Sequence, residues 1–133
     1  MNTLTKSEVI DVSRFDRVLA LIVAENDIYV SDCDHQDALE MLCVRLNKKS
    51  GIDWNSDFDT AHKKAVALTD QLFLEDKIQG FSIYEGTENK LYLLSHYPEN
   101  LKTAYPIIQK YAKEHGCIIG TFFDRSYKAQ LYA

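Results

Sequence analysis

Three runs decide the fold of this 133-residue chain: Gly80-Phe81-Ser82-Ile83-Tyr84, Leu91-Tyr92-Leu93-Leu94-Ser95 and Cys117-Ile118-Ile119-Gly120-Thr121-Phe122-Phe123. The first two carry the alternation of a strand, with successive side chains on opposite faces of a sheet. Between them lies Glu85-Gly86-Thr87-Glu88-Asn89-Lys90, a polar turn with a glycine, so the pair reads as a hairpin. Pro98-Glu99-Asn100 breaks the second strand. A helix is expected from about Thr103, which puts Pro106 in its first turn, where the missing N–H costs nothing. A start at Glu99 instead requires Pro106 to kink the helix. Ile108, Tyr111, Ala112 and His115 continue its stripe, Gly116 ends it, and Cys117 opens the next strand. Residues 125–133 read as an edge strand through Leu131-Tyr132, or as a tail.

Upstream, residues 1–12 are polar and read as a flexible arm or a short edge strand. Val18 to Ala24 and Ile28-Tyr29-Val30 flank Glu25-Asn26-Asp27, which reads as a second hairpin because Asn and Asp tolerate positive φ. A helix over 13–25 is the rival, since Phe15, Val18, Leu19 and Ile22 also fit a helical stripe. Seven consecutive apolar residues favour a strand buried on both faces. Asp34 followed by Asp37 marks a helix start, with Leu39, Leu42, Cys43 and Leu46 along one face and Gly51 past the end near Lys49. Ser56 and Asp59 start a second helix, extending through Leu68 and Leu72 to about Gln79, with Gly80 as its stop. The expected fold is a single α+β domain over 1–133, a mostly antiparallel sheet of about five strands with three helices packed on one face.

Composition is that of a globular protein, 46% apolar and 26% charged. No apolar run reaches the roughly 20 residues of a membrane helix, and the N-terminus lacks a signal peptide's apolar core. The odd set Cys33, Cys43 and Cys117 suits reduced thiols. A cytoplasmic protein is therefore expected. Net charge is −5, and residues 25–59 alone hold nine acids against three bases, a net −6. Such a field disfavours nucleic acid and favours basic partners.

No constellation carries a strong chemical signature. Asp53, Asn55, Asp57 and Asp59 imitate the start of a calcium loop. Phe58 replaces the required glycine, however, and Lys64 the closing glutamate. Asp32-Cys33-Asp34-His35 with Cys43 offers a single compact ligand set, short of a structural zinc site. Neither a metal nor a cofactor is expected. The aspartates around Cys33 work against a thiolate nucleophile. His62 reads as solvated and Cys117 as packing. His96, ending a strand beside Tyr97, is the best site histidine, without a carboxylate or nucleophile beside it in sequence.

Leu91 to Gly120, through Glu99-Asn100-Leu101, Ala104-Tyr105, Tyr111 and Gly116, partly resembles the helical half-repeat of gyrase-inhibitor-like effector-binding domains. Gly116 and Gly120 lie one residue closer than in that pattern. The acidic residue that holds a cationic ligand there has no counterpart, and residues 1–80 do not match.

Eight tyrosines, several around the first hairpin, and Trp54 in an acidic loop suit protein contacts. The leading expectation is a small acidic regulatory protein that docks a basic protein through Asp32, Asp34, Asp37, Trp54, Asp57, Tyr84, Tyr92, His96 and Tyr97. An inhibitor of a nucleic-acid-binding protein, of the phage or mobile-element kind, fits that size and charge. A homodimer through a sheet edge is a parallel expectation. The alternatives are an effector-binding domain, with a pocket between sheet and helices lined by Tyr84, Tyr92 and His96, and a small enzyme using His96 or Cys33.

Overall fold

The computed structural model describes residues 4–24, 26–35, 37–39, 41–42, 58–75, 77–123 and 126–132. The chain forms β1 (Lys6–Asp11), β2 (Asp16–Ala24) and β3 (Asp27–Ser31). A helix α1 follows, to which the described residues of 35–42 belong, then α2 (Phe58–Leu74). After these come β4 (Ile78–Glu85), β5 (Leu91–Ser95), α3 (Pro98–His115), β6 (Cys117–Phe122) and β7 (Lys128–Tyr132). The architecture is α+β. Among the described residues seven strands, two more than expected, form one sheet in the order β1-β7-β6-β5-β4-β2-β3. Every neighbouring pair is antiparallel except β5 and β6, which are parallel because α3 carries the chain back between them.

The hairpin reading of residues 18–30 holds. Ala24 pairs with Asp27 across a two-residue turn in which Asn26 takes φ 68°. Residues 6–11 form an edge strand rather than a free arm, paired to β7. The last strand, in turn, lies inside the sheet between β6 and β1 and not at its edge.

Two helix boundaries differ from expectation. Helix α2 ends at Leu74, and Ile78 and Gln79 belong to β4, paired with Ala24 and Val23. Gly80 is thus a strand residue and not a helix stop. Helix α3 begins at Pro98, with Tyr97 as N-cap residue, so Pro106 is internal. The carbonyl of Lys102 loses its helical donor there. Lys102 and Pro106 are both exposed, on the solvent side of α3. Gly116 ends the helix at φ 68°, its N–H bonded to the Ala112 carbonyl.

Helices cover both faces of the sheet, not one. Alternation along β2 and β4 sends Leu21, Val23, Phe81 and Ile83 to the face packed by Leu101, Ala104, Tyr105, Ile108 and Ala112 of α3. It sends Ile22, Ala24 and Ile78 to the other face, against Ala38, Leu39 and Leu42 of α1 and Leu68 and Leu72 of α2. Leu101 and Ile108 are almost wholly buried, each contributing about 1.5–3 kcal/mol by transfer from water.

The sheet curls toward this second face. Five inter-strand steps separate β1 from β2, about 24 Å if the sheet were flat at ~4.8 Å each. The chain from Asp11 to Asp16 spans at most ~18 Å. The connection closes only because the sheet bends under it. Val12 and Phe15 of this crossing pack with Tyr92, Leu94, Phe122 and Leu131 on the concave face.

Candidate functional site

The site arises where β4 outruns its neighbour. The β4–β5 ladder stops at the pair Ser82–Leu94, and β4 continues back to Ile78 while the chain after Ser95 turns into α3. The buried Ser95 hydroxyl fixes that turn, accepting from the Tyr97 N–H at 3.2 Å and donating to the Tyr97 carbonyl at 3.0 Å. His96 and Tyr97 are thereby held over the gap. On the other side, Asp34 Oδ1 accepts from the Asp37 N–H at 3.0 Å, capping the start of α1. This places His35 against β4, where its Nε2 bonds the Phe81 carbonyl at 2.7 Å. A carbonyl only accepts, so Nε2 carries the hydrogen and Nδ1 is an acceptor when the ring is neutral.

Two cavities lie on the concave face among the described residues. One, of about 470 Å³, has an apolar floor of Ile22, Leu39, Ile78 and Gly80, with His35, His96, Tyr97 and Asn100 around it. The other, of about 250 Å³, lies under the β1–β2 crossing, between Val12, Ser13, Phe15, Tyr84, Phe122, Ser126 and Tyr127. His96 lines both. Its ring lies on Phe122, centroids 4.6 Å apart and 17° from parallel, and Phe122 in turn meets Tyr84 edge-on at 5.7 Å. Burial, and secondarily the nearby His35, push the His96 pKa below the ordinary 6.5. The imidazole is therefore neutral at pH 7 and offers one donor and one acceptor. No charged side chain lines either cavity among the described residues.

Of the residues singled out in sequence, Tyr84, His96 and Tyr97 come together here. Tyr92 is buried, its ring stacked on Phe15 at 5.3 Å, and lines neither cavity. Asp32 and Asp34 are exposed and Asp37 half-buried, on the turn that carries His35. Trp54, Asp57, the calcium-like Asp53 and Asn55, and Cys43 lie outside the described residues.

Cys33 is exposed, and its thiol proton is held by carboxylates. Asp37 first, then Asp32, pushes its pKa up, and Sγ donates to Asp32 Oδ1 at 3.5 Å. Its carbonyl accepts from the Arg17 guanidinium. Burial raises the Cys117 thiol, and His115 stacks on Tyr111 at 4.0 Å, bonded to that residue's carbonyl. Neither thiol is poised as a nucleophile. No cluster of three or more metal-ligating side chains occurs among the described residues, and none of their helices is long and apolar enough to cross a membrane.

His35, Phe122 and Tyr127 escaped the sequence reading as parts of one site. His35 and His96 are 61 residues apart with no motif between them; only the apolar alternation of Phe122 hinted at its face. Comparison with family models, with curated proteins and with solved structures returned no match for this chain.

Proposed function

We propose that this chain is a ligand-binding domain rather than an enzyme, and that it takes an uncharged, partly aromatic small molecule into the cavity between α1, β4 and the β5–α3 turn. The observation that carries this reading is the lining. In a protein with 26% charged residues, an aliphatic floor is ringed by two imidazoles, a phenol and an amide, with no charge among the described residues. A neutral apolar body with hydrogen-bonding edges complements that surface, whereas an ion would lose its hydration without a partner. The volume of about 470 Å³ lies in the usual range for small-molecule sites. Catalysis is disfavoured because His96 has no carboxylate beside it among the lining residues and the Cys33 thiol is held protonated.

The test is a thermal-shift series with benzamide, its anionic analogue benzoate and its cationic analogue benzamidine. Benzamide should raise the melting temperature of the wild type and leave Asn100→Trp, which fills the cavity, unmoved. No shift with benzamide, or an equal shift in the filled variant, would overturn the reading.

A second reading is favoured by what surrounds the cavity. Asp32 and Asp34 are exposed on the turn before His35, and Tyr97 and Tyr127 are 65% and 68% exposed. Such a rim suits the docking of a basic protein. Pull-down with Asp32→Lys and Tyr127→Ala tests it; undiminished recovery of a basic partner from both variants contradicts it.

A further inference from the structure

The two cavities on the concave face have a single lining residue in common among the described residues. His96 lines both. Its ring is held by stacking on Phe122, and no hydrogen bond from the described residues ties either ring nitrogen. Rotation about its χ1 moves it between staggered positions without disturbing the backbone turn, which Ser95 holds independently. The cavity of about 250 Å³ is by itself below the usual range for a ligand site, about 300–1,000 Å³, whereas the two joined fall within it.

We propose that His96 is a movable partition, and that the two cavities are halves of one trough for an elongated, uncharged ligand with two rings joined by a polar link. This rests on the ligand-binding reading of the larger cavity and names what fills it. One ring of the ligand occupies the floor of Ile22, Leu39 and Ile78. The other takes the place of the imidazole on the face of Phe122, which Tyr84 supports edge-on. The displaced His96 stands at mid-span, where its neutral ring donates to or accepts from the link. Tyr127 lines the smaller cavity and Asn100 the larger, each with a polar group to offer. The ligand class is therefore diaryl amides, diaryl ketones and their heteroaromatic equivalents.

The probes are benzanilide, with two rings and an amide link, and benzamide, with one ring. Binding to the full chain is followed by titration, and contacts by intermolecular NOEs. Benzanilide should show NOEs from one molecule to both Leu39 and Phe122 of the wild type. Ser13→Trp, which fills the smaller cavity from an exposed turn, should weaken benzanilide at least tenfold and leave benzamide within twofold. Asn100→Trp should weaken both. Benzanilide with NOEs confined to one cavity, or unaffected by Ser13→Trp, would overturn the partition while leaving the ligand-binding reading in place. Failure of both probes to bind the wild type would overturn the two together. The NOE pattern is read on the wild type, so the outcome stands even if a filled variant folds poorly.

Discussion

His96 and Phe122 lie face to face, ring centroids 4.6 Å apart, although one follows the end of β5 and the other ends β6. The parallel pairing of these strands sets the contact, since Ser95 is in register with Thr121 and each next residue lies just beyond. The stack removes part of the imidazole from water, while the rest of the side chain is exposed. An uncharged site is the electrostatic result.

This arrangement makes stability depend on pH. In the unfolded chain His96 titrates near its ordinary 6.5, while in the folded protein its pKa is lower. As pH falls below 6.5 the unfolded state takes up the proton first. The contribution of this group is thus fully present above 6.5 and is lost as pH falls through the folded value. Denaturant unfolding at pH 7.5 and pH 5 should show a larger loss for the wild type than for His96→Gln. Equal losses would contradict the assignment.

The Ser95 hydroxyl makes both side-chain bonds that fix the turn under His96 and Tyr97. Ser95→Ala should cost about 1–3 kcal/mol, because the turn's N–H and carbonyl lose a buried partner. Unfolding measurements would give the stability change, and benzamide affinity should fall with it. A neutral substitution would show that water replaces the hydroxyl.

Gly86 sits where no larger residue fits. A Cβ there would lie 2.6 Å from the Tyr92 ring and 2.9 Å from that of Phe15, and these two rings are stacked on each other. Gly86→Ala should therefore destabilise by about 1–3 kcal/mol through overpacking, read as a lower denaturation midpoint with an unchanged slope. Gly80→Ala is the contrast. Its Cβ would meet His35 at an ordinary 3.7 Å, so the fold should tolerate it.

Cys33 should react slowly despite its exposure. Asp37 and Asp32 hold its thiol proton and raise its pKa above the ordinary 9.0. At pH 8, site-resolved mass spectrometry after iodoacetamide treatment should find Cys33 modified more slowly than a free cysteine. Asp32→Asn combined with Asp37→Asn should speed the reaction by lowering the pKa. An unchanged rate would remove the carboxylates from the explanation.

The sequence made the local elements of this fold legible and the long-range ones obscure. Alternation in Phe81–Tyr84 and Leu91–Ser95, and the Asn26 turn, marked two hairpins correctly, because neighbouring strands leave their signal in neighbouring residues. The pairing of Lys6 with Tyr132 leaves none, so β1 read equally as an arm and β7 as a tail. Local spacing alone permits α2 to extend to Gln79. Pairing of Ile78 and Gln79 with Ala24 and Val23 decided otherwise. Pro106 favours a start of α3 near Thr103 over the alternative at Glu99, whereas Pro98 is the helix-starting proline. Of the residues expected to bind a partner, Tyr84, His96 and Tyr97 line the two cavities. His35 joined them only through the capped turn at Asp34, and Phe122 only through the parallel register.

The most direct test of the central claim is amide chemical-shift mapping of the ¹⁵N-labelled protein titrated with benzamide. Saturable shifts concentrated at His35, Gly80, His96, Tyr97 and Asn100 are the predicted result. Absence of saturable shifts, or shifts centred instead on the β3 edge or the exposed side of α3, would contradict it.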